Sequence, residues 1–265
     1  MDSSKYIIRT FCGIGAGGNV HEVHLLDAEL SENAMSDVST AYSDHIHVFI
    51  FISSSGAIQN RTYFNGRSVR FCGSGTLAAS KILFSLPDML GQTRLSMLFT
   101  HQSVDVFRSS GMYAMEMKSN LSERPAPLAK WAPWLGSYAK HVLTATHIGN
   151  AEDYIVLELP DANAVRYAVP NFNAMRRNGG PALIVTAAAS RNPKEDYVMR
   201  YFAPQYGNDE DVATGSANVY LMQYWHKRLN KKRLMGRQLS KVGGVFYGEI
   251  RGNTVTLKGR AERVK

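Results

Sequence analysis

Two short stretches hold the residues best suited to chemistry. Residues 72–79 read Cys-Gly-Ser-Gly-Thr-Leu-Ala-Ala, and residues 214–221 read Thr-Gly-Ser-Ala-Asn-Val-Tyr-Leu. Each opens an apolar run with helical spacing, which places each glycine–serine pair at a helix N-terminus. The first backbone N–H groups of a helix have no partner inside it, and the helix dipole adds roughly half a positive charge there. Glycine lets a ligand approach that backbone closely, and serine adds a hydroxyl. Two such starts acting on one ligand would hold an anionic group, most simply a carboxylate. Cys72, Gly73, Ser74, Thr214, Gly215 and Ser216 are therefore the candidate substrate-binding residues. The plainer reading is that Ser74 and Ser216 only cap their helices. Asp211, just before the second start, could orient a substrate amine or hydroxyl, or cap the helix.

Those starts need a scaffold. Alternating or apolar runs predict strands over 6–11, 20–26, 47–52, 61–64 and 69–71. Ser31 opens a predicted helix over 34–41, and a buried helix follows over 73–84. In the second half, short helices are expected at 127–135 and near 171–177. Strands are expected at 155–159, 182–186 and 198–202, then a long helix over 214–229 and a closing hairpin over 242–250 and 254–258. Pro125, Pro127 and Pro133 mark a crossover. This divides the chain into an N-terminal lobe, 1–117, and a C-terminal lobe, 118–265, with the last strand free to return to the first. The halves echo each other. Arg61-Thr-Tyr-Phe-Asn precedes the first glycine–serine start, and Arg200-Tyr-Phe-Ala-Pro precedes the second. A strand–loop–Gly-Ser–helix order repeated about half a chain apart predicts a duplicated, two-lobed fold.

Composition narrows the function classes. The 265 residues carry 30 Lys+Arg against 22 Asp+Glu, a net charge of +8, with 45% hydrophobic residues. That is globular, not disordered. The basic residues are scattered except over 226–237, read as a solvated helix end and turn, so nucleic-acid binding is not expected. Cys12 and Cys72 are too few for a disulfide framework, and Cys12 reads as core. Neither a secretory leader nor a membrane span is expected, and the chain reads as cytoplasmic. Gly13-Ile-Gly15-Ala-Gly17-Gly18 formally fits a dinucleotide loop but runs into a strand where that loop needs a helix. His21 with His24, and His45 with His47, read as packed or surface histidines, so no metal is expected. Cys72 replaces the first glycine of a nucleophile elbow, which excludes that motif around Ser74.

Several of these residues together resemble the PhzF-like phenazine-biosynthesis family, relatives of diaminopimelate epimerase and proline racemase. They are Gly18-Asn19 after the first strand, Ser43-Asp44 before the apolar strand, and Phe71-Cys72-Gly73-Ser74-Gly75-Thr76-Leu77-Ala78-Ala79. Phe202-Ala-Pro204 and Glu210-Asp211-Val-Ala-Thr214-Gly215-Ser216-Ala217 complete the set, with Gly236-Arg237 and 243–259 at the end. The resemblance covers nearly the whole chain. It implies an α+β fold of two similar lobes, each a curled, mostly antiparallel sheet around a central helix. It also implies an active site between lobes, a homodimer, no cofactor, and isomerase activity of the kind that moves a proton between ring carbons of trans-2,3-dihydro-3-hydroxyanthranilate. It adds Asn19 to the binding set.

The departures redirect the chemistry. The family's acid/base glutamate falls on Asp44, its histidine after Cys-Gly falls on Ser74, and Val212 replaces a proline. The expected function is thus a cofactor-independent isomerase, or related proton-transfer enzyme, acting on a small amino or hydroxy carboxylic acid. A carboxyl can both take and return a proton when burial raises its pKa from about 3.9 toward neutrality. Asp44 is the candidate for that role and Asp211 its companion. The alternative is a catalytically inactive carboxylate binder that kept the cleft. Epimerisation by two thiols is disfavoured because Thr214 stands opposite Cys72, and a hydroxyl cannot replace a thiolate near pH 7. Cys72 alone could serve as a base at its helix start.

Overall fold

The computed structural model describes residues 3–42, 45–118, 121–149, 154–189 and 194–264. Contacts divide the chain into two compact units. The first comprises Met1–Met117 with Thr256–Lys265, the second Lys118–Val255.

In the first unit the chain runs β1 (Ser3–Cys12), β2 (Asn19–Leu26), α1 (Glu32–Ala41), β3 (Ile46–Ile52), β4 (Ile58–Phe64) and β5 (Arg67–Val69). It continues through α2 (Gly73–Leu83), β6 (Arg94–Leu98), β7 (Ser103–Ser109) and β8 (Met112–Lys118). The second unit runs β9 (Glu123–Pro125), α3 (Leu128–Trp131), β10 (Thr144–Ile148), β11 (Tyr154–Glu158), α4 (Ala162–Tyr167) and α5 (Phe172–Asn178). It continues through β12 (Ala182–Ala188), β13 (Tyr197–Phe202), α6 (Gly215–Leu229), β14 (Arg233–Gln238) and β15 (Gly244–Arg251). The final strand, β16 (Thr254–Arg263), pairs antiparallel with β1, Ile8 opposite Arg263.

Each unit repeats one connection pattern. β1 and β2 are antiparallel, β2 and β3 parallel, β3 and β4 antiparallel, β4 and β6 parallel, and β6 and β7 antiparallel. The same alternation runs from β10 through β11, β12, β13 and β14 to β15. A parallel pair needs a crossover, and helices supply it. α1 joins β2 to β3 where α4 and α5 join β11 to β12, and α2 joins β4 to β6 where α6 joins β13 to β14. In the first unit β16 lies next to both β8 and β1, so eight strands close around α2.

The central helices are correspondingly buried. Every residue of α2 except Lys81 is buried. In α6 the buried face includes Leu221, Met222, Tyr224 and Trp225. The opposite face of each sheet has its own cover. Met35 of α1 packs on Phe49 and Tyr63, while Trp131, Trp134, Val165 and Met175 pack on β11, β12 and β13. Helix ends follow local chemistry. The Ser31 hydroxyl accepts the Ala34 N–H at 3.2 Å to start α1, and Asn230 in the left-handed region stops α6.

Two expectations are corrected, and one unassigned stretch is filled. The strand expected at 69–71 lies at Arg67–Val69, because the turn at Asn65 and Gly66, both at positive φ, sets its hairpin with β4. The basic stretch 226–237 is not a helix end and turn alone. Its second half is β14, paired between β13 and β15. The stretch 85–117, unassigned in sequence, holds β6, β7 and β8.

Candidate active site

In the first unit the start of α2 gathers four polar side chains. Cys72 is its N-cap and its Sγ accepts the Gly75 N–H at 3.3 Å. The Ser74 hydroxyl sits 3.3 Å from that sulfur. Asn19 Nδ2 donates to Ser74 Oγ at 3.5 Å, and His21 Nε2 lies 3.0 Å from the same oxygen. Asn19 and His21 project from one face of β2, two residues apart, so strand alternation delivers both to the helix start. Ser74 therefore does not cap its helix; the cap is the thiol. Cys72 is half-buried, whereas Ser74 and Gly73 are buried. His21 is fully buried, and desolvation pulls its pKa down to about 4, against a smaller opposing pull from the carbonyls of Ile8 and Asn19. The ring is neutral at pH 7. Its Nδ1 is buried without a hydrogen-bond partner.

In the second unit the start of α6 is built differently. Thr214 is the N-cap, but its side chain bonds to none of the helix N–H groups. Its hydroxyl donates to Asp211 Oδ2 at 2.7 Å. The Thr214 N–H is taken by Gln238 Oε1 at 2.8 Å, and Gln238 Nε2 donates to the Asp211 carbonyl at 2.5 Å. Gly215 is buried and Ser216 half-buried. Asp211 therefore does not cap α6; it anchors the N-cap hydroxyl. The loop that carries it is held by Arg200, whose guanidinium grips both oxygens of Glu210 at 2.7 and 2.9 Å. Arg200 also donates to the carbonyls of Arg166 and Ala168. The Asp211 N–H donates to the Tyr201 carbonyl, which fixes the loop at its other end.

Asp44 lies outside the described residues. The structure thus brings Asn19, Cys72, Gly73 and Ser74 together in one unit, and Asp211, Thr214, Gly215 and Ser216 together in the other. Sequence reasoning missed His21 and Gln238. The alternation of β2 from Asn19 could have pointed to His21. No local signal marks Gln238, because it reaches Thr214 only through the pairing of β14.

Among the described residues, Glu22, His24 and His47 could hold a metal ion, their ligand atoms lying within 4.8 Å of one another. The cluster is already satisfied. His24 Nε2 meets His47 Nδ1 at 3.0 Å, His47 Nε2 donates to the Tyr42 carbonyl at 2.7 Å, and the Lys5 ammonium sits 3.2 Å from Glu22. Burial lowers the His24 pKa to about 4. These groups form a buried polar network rather than a built ion site. The glycine loop over 13–18 leads into β2, not a helix. No helix of the described residues is long and apolar enough to cross a membrane.

Comparison with known proteins places this scaffold. Residues 8–264 match the PhzC-PhzF family, phenazine biosynthesis-like protein. An uncharacterized isomerase of Pseudomonas aeruginosa is 31% identical over 92% of this chain and 89% of its own length. One of Vibrio cholerae is 30% identical over 97% and 88%. A PhzF-family phenazine biosynthesis protein of Enterococcus faecalis superposes with a TM-score of 0.88 at 26% identity, covering 100% of this chain and 98% of that one. A hydroxyproline epimerase from Agrobacterium vitis shares the fold alone, at a TM-score of 0.63 and 8% identity over 99% of this chain and 91% of that one. By match length, relatives and fold, this chain belongs to the phenazine biosynthesis-like family, among its isomerases.

Proposed function

We propose that the protein is a cofactor-independent isomerase that shifts a proton on a small amino or hydroxy carboxylic acid. The observation that carries this reading is the repetition of one device. Two topologically equivalent helices, α2 and α6, each open on a glycine–serine pair, and each start is framed by polar side chains rather than closed by a serine cap. Each start would offer its backbone, at Gly73 and Ser74 or at Gly215 and Ser216, to a carboxylate or an enolate-like charge. Asp211 is the carboxylate best placed to meet a substrate amine or hydroxyl, and Asp44 would carry the proton between carbons. The family resemblance adds assembly as a homodimer, and the sequence reading adds a cytoplasmic location.

The test is exchange of substrate carbon-bound protons with heavy water, across a panel of small amino and hydroxy acids, followed by NMR. Asp44→Asn and Asp211→Asn should each slow exchange by about a hundredfold or more. Asp211→Asn keeps an acceptor for the Thr214 hydroxyl, so the fold of the loop should survive. Unchanged exchange in both variants would remove the carboxylates from the mechanism. Binding of a carboxylic acid without exchange in the parent protein would favour an inactive binder instead.

A further inference from the structure

We propose that His21 is a positioning residue for Cys72, acting through the Ser74 hydroxyl so that the thiol at the start of α2 can release and regain a proton. The proposal takes its purpose from the isomerase reading, but its test needs no substrate. Hydrogen-bond capacity argues for it. A serine hydroxyl has one hydrogen and two lone pairs. Asn19 Nδ2 can only donate, so it fills one lone pair of Ser74 Oγ. The remaining lone pair and the hydrogen must be divided between Cys72 Sγ at 3.3 Å and His21 Nε2 at 3.0 Å. In the tautomer that carries the ring proton on Nδ1, with the thiol protonated, Cys72 donates to Ser74 and Ser74 donates to His21.

The opposite state follows by two short transfers. The S–H proton passes to Ser74 Oγ as the Ser74 proton passes to His21 Nε2. One S–H and one O–H bond break, one O–H and one N–H bond form, and nothing else is consumed. The product is a thiolate that accepts from Ser74 and from the Gly75 N–H, beside an imidazolium that donates to Ser74. The nearby carbonyls of Ile8 and Asn19 favour the protonated ring. Burial opposes it, so the proton is held briefly and returned. Among the described residues, Glu22, next to His21 on β2, pairs with Lys5 of β1 at 3.2 Å, and His45 adds a small repulsion at this ring.

The readout is the pH dependence of Cys72 alkylation by iodoacetamide, followed by mass spectrometry of the Cys72 peptide. Cys12 is buried and is followed separately. An isolated thiol loses reactivity about tenfold per pH unit below its midpoint, whereas a thiolate paired with an imidazolium keeps a plateau. The parent protein should show that plateau between pH 5 and 7. Ser74→Ala and His21→Gln should both abolish it, each slowing alkylation at pH 5.5 by about tenfold or more. Combining them should add nothing further. Ser74→Thr, which keeps a hydroxyl, should restore the plateau. If His21→Gln fails to fold, Ser74→Ala and Ser74→Thr still decide. A tenfold-per-unit fall in the parent protein, or a plateau that survives Ser74→Ala, would overturn the proposal. Absence of turnover on any substrate tried would count against the isomerase reading and leave this result standing.

Discussion

At Gln238 one buried side chain holds the start of α6 in place. It accepts the Thr214 N–H, donates to the Asp211 carbonyl and lies 3.3 Å from the Thr214 hydroxyl. Replacing it by alanine leaves the buried Thr214 N–H without this partner, at about 1–3 kcal/mol, and takes one bond from the half-buried Asp211 carbonyl, at about 1 kcal/mol. Gln238→Ala should therefore lower unfolding free energy by roughly 2–4 kcal/mol in urea titrations. Gln238→Glu keeps the acceptor for Thr214 but faces the Asp211 carbonyl with an oxygen, so it should recover only part of that loss. A variant as stable as the parent would show that solvent readily replaces this side chain. Among catalytic candidates, the sequence delivers Cys72, Ser74, Thr214 and Asp211 because they flank a visible motif. It hides Gln238 because its partners are set by strand register, which no short window contains, and marks His21 only through the alternation of β2 from Asn19.

The helices and most strands are legible for a similar reason. Ser31 sits where a cap must sit, and the spacing of Leu77, Ala78 and Ile82 declares a buried face of α2. β14 escapes notice because its buried positions hold Gly236 and the polar Gln238 beside Leu234 while Met235 lies on the other face, so no apolar alternation shows. Gly236 has no turn to make. A Cβ there would collide with the Tyr197 ring, with Cε2 2.8 Å away. That ring is pinned by its hydroxyl, which donates to Asn218 Oδ1 of α6 at 2.6 Å, and by stacking on Trp225. Gly236→Ala should therefore destabilise by about 1–3 kcal/mol, the usual cost of overfilling a tight core. Gly18 is constrained differently. At φ +72 it sits against the Thr10 carbonyl, and the backbone could not turn there into β2 with any side chain present. Thermal unfolding of the two alanine variants would check both statements, and Gly236→Ala unfolding at the parent temperature would show the ring can yield.

For the whole chain, the duplication sets the architecture, and buried histidines set its tolerance of acid. His21 and His24 both have pKa values lowered to about 4 from 6.5 by burial. The unfolded chain binds these protons first, so the stabilisation is complete above pH 6.5 and is lost as pH falls toward 4. For His21 alone the loss amounts to about 3 kcal/mol. Urea midpoints measured from pH 7.5 to 4.5 should fall, and should fall less in His21→Gln; a flat profile would contradict the buried, neutral rings. A different consequence follows from the pairing of Ile8 with Arg263. β1 emerges from the ribosome long before its second neighbour, β16, is translated. At about 5–20 residues per second that interval is on the order of ten to fifty seconds. Throughout synthesis the nascent barrel thus exposes an unpaired edge that invites chaperones or other chains, and truncation near residue 254 should trap it in that sticky form.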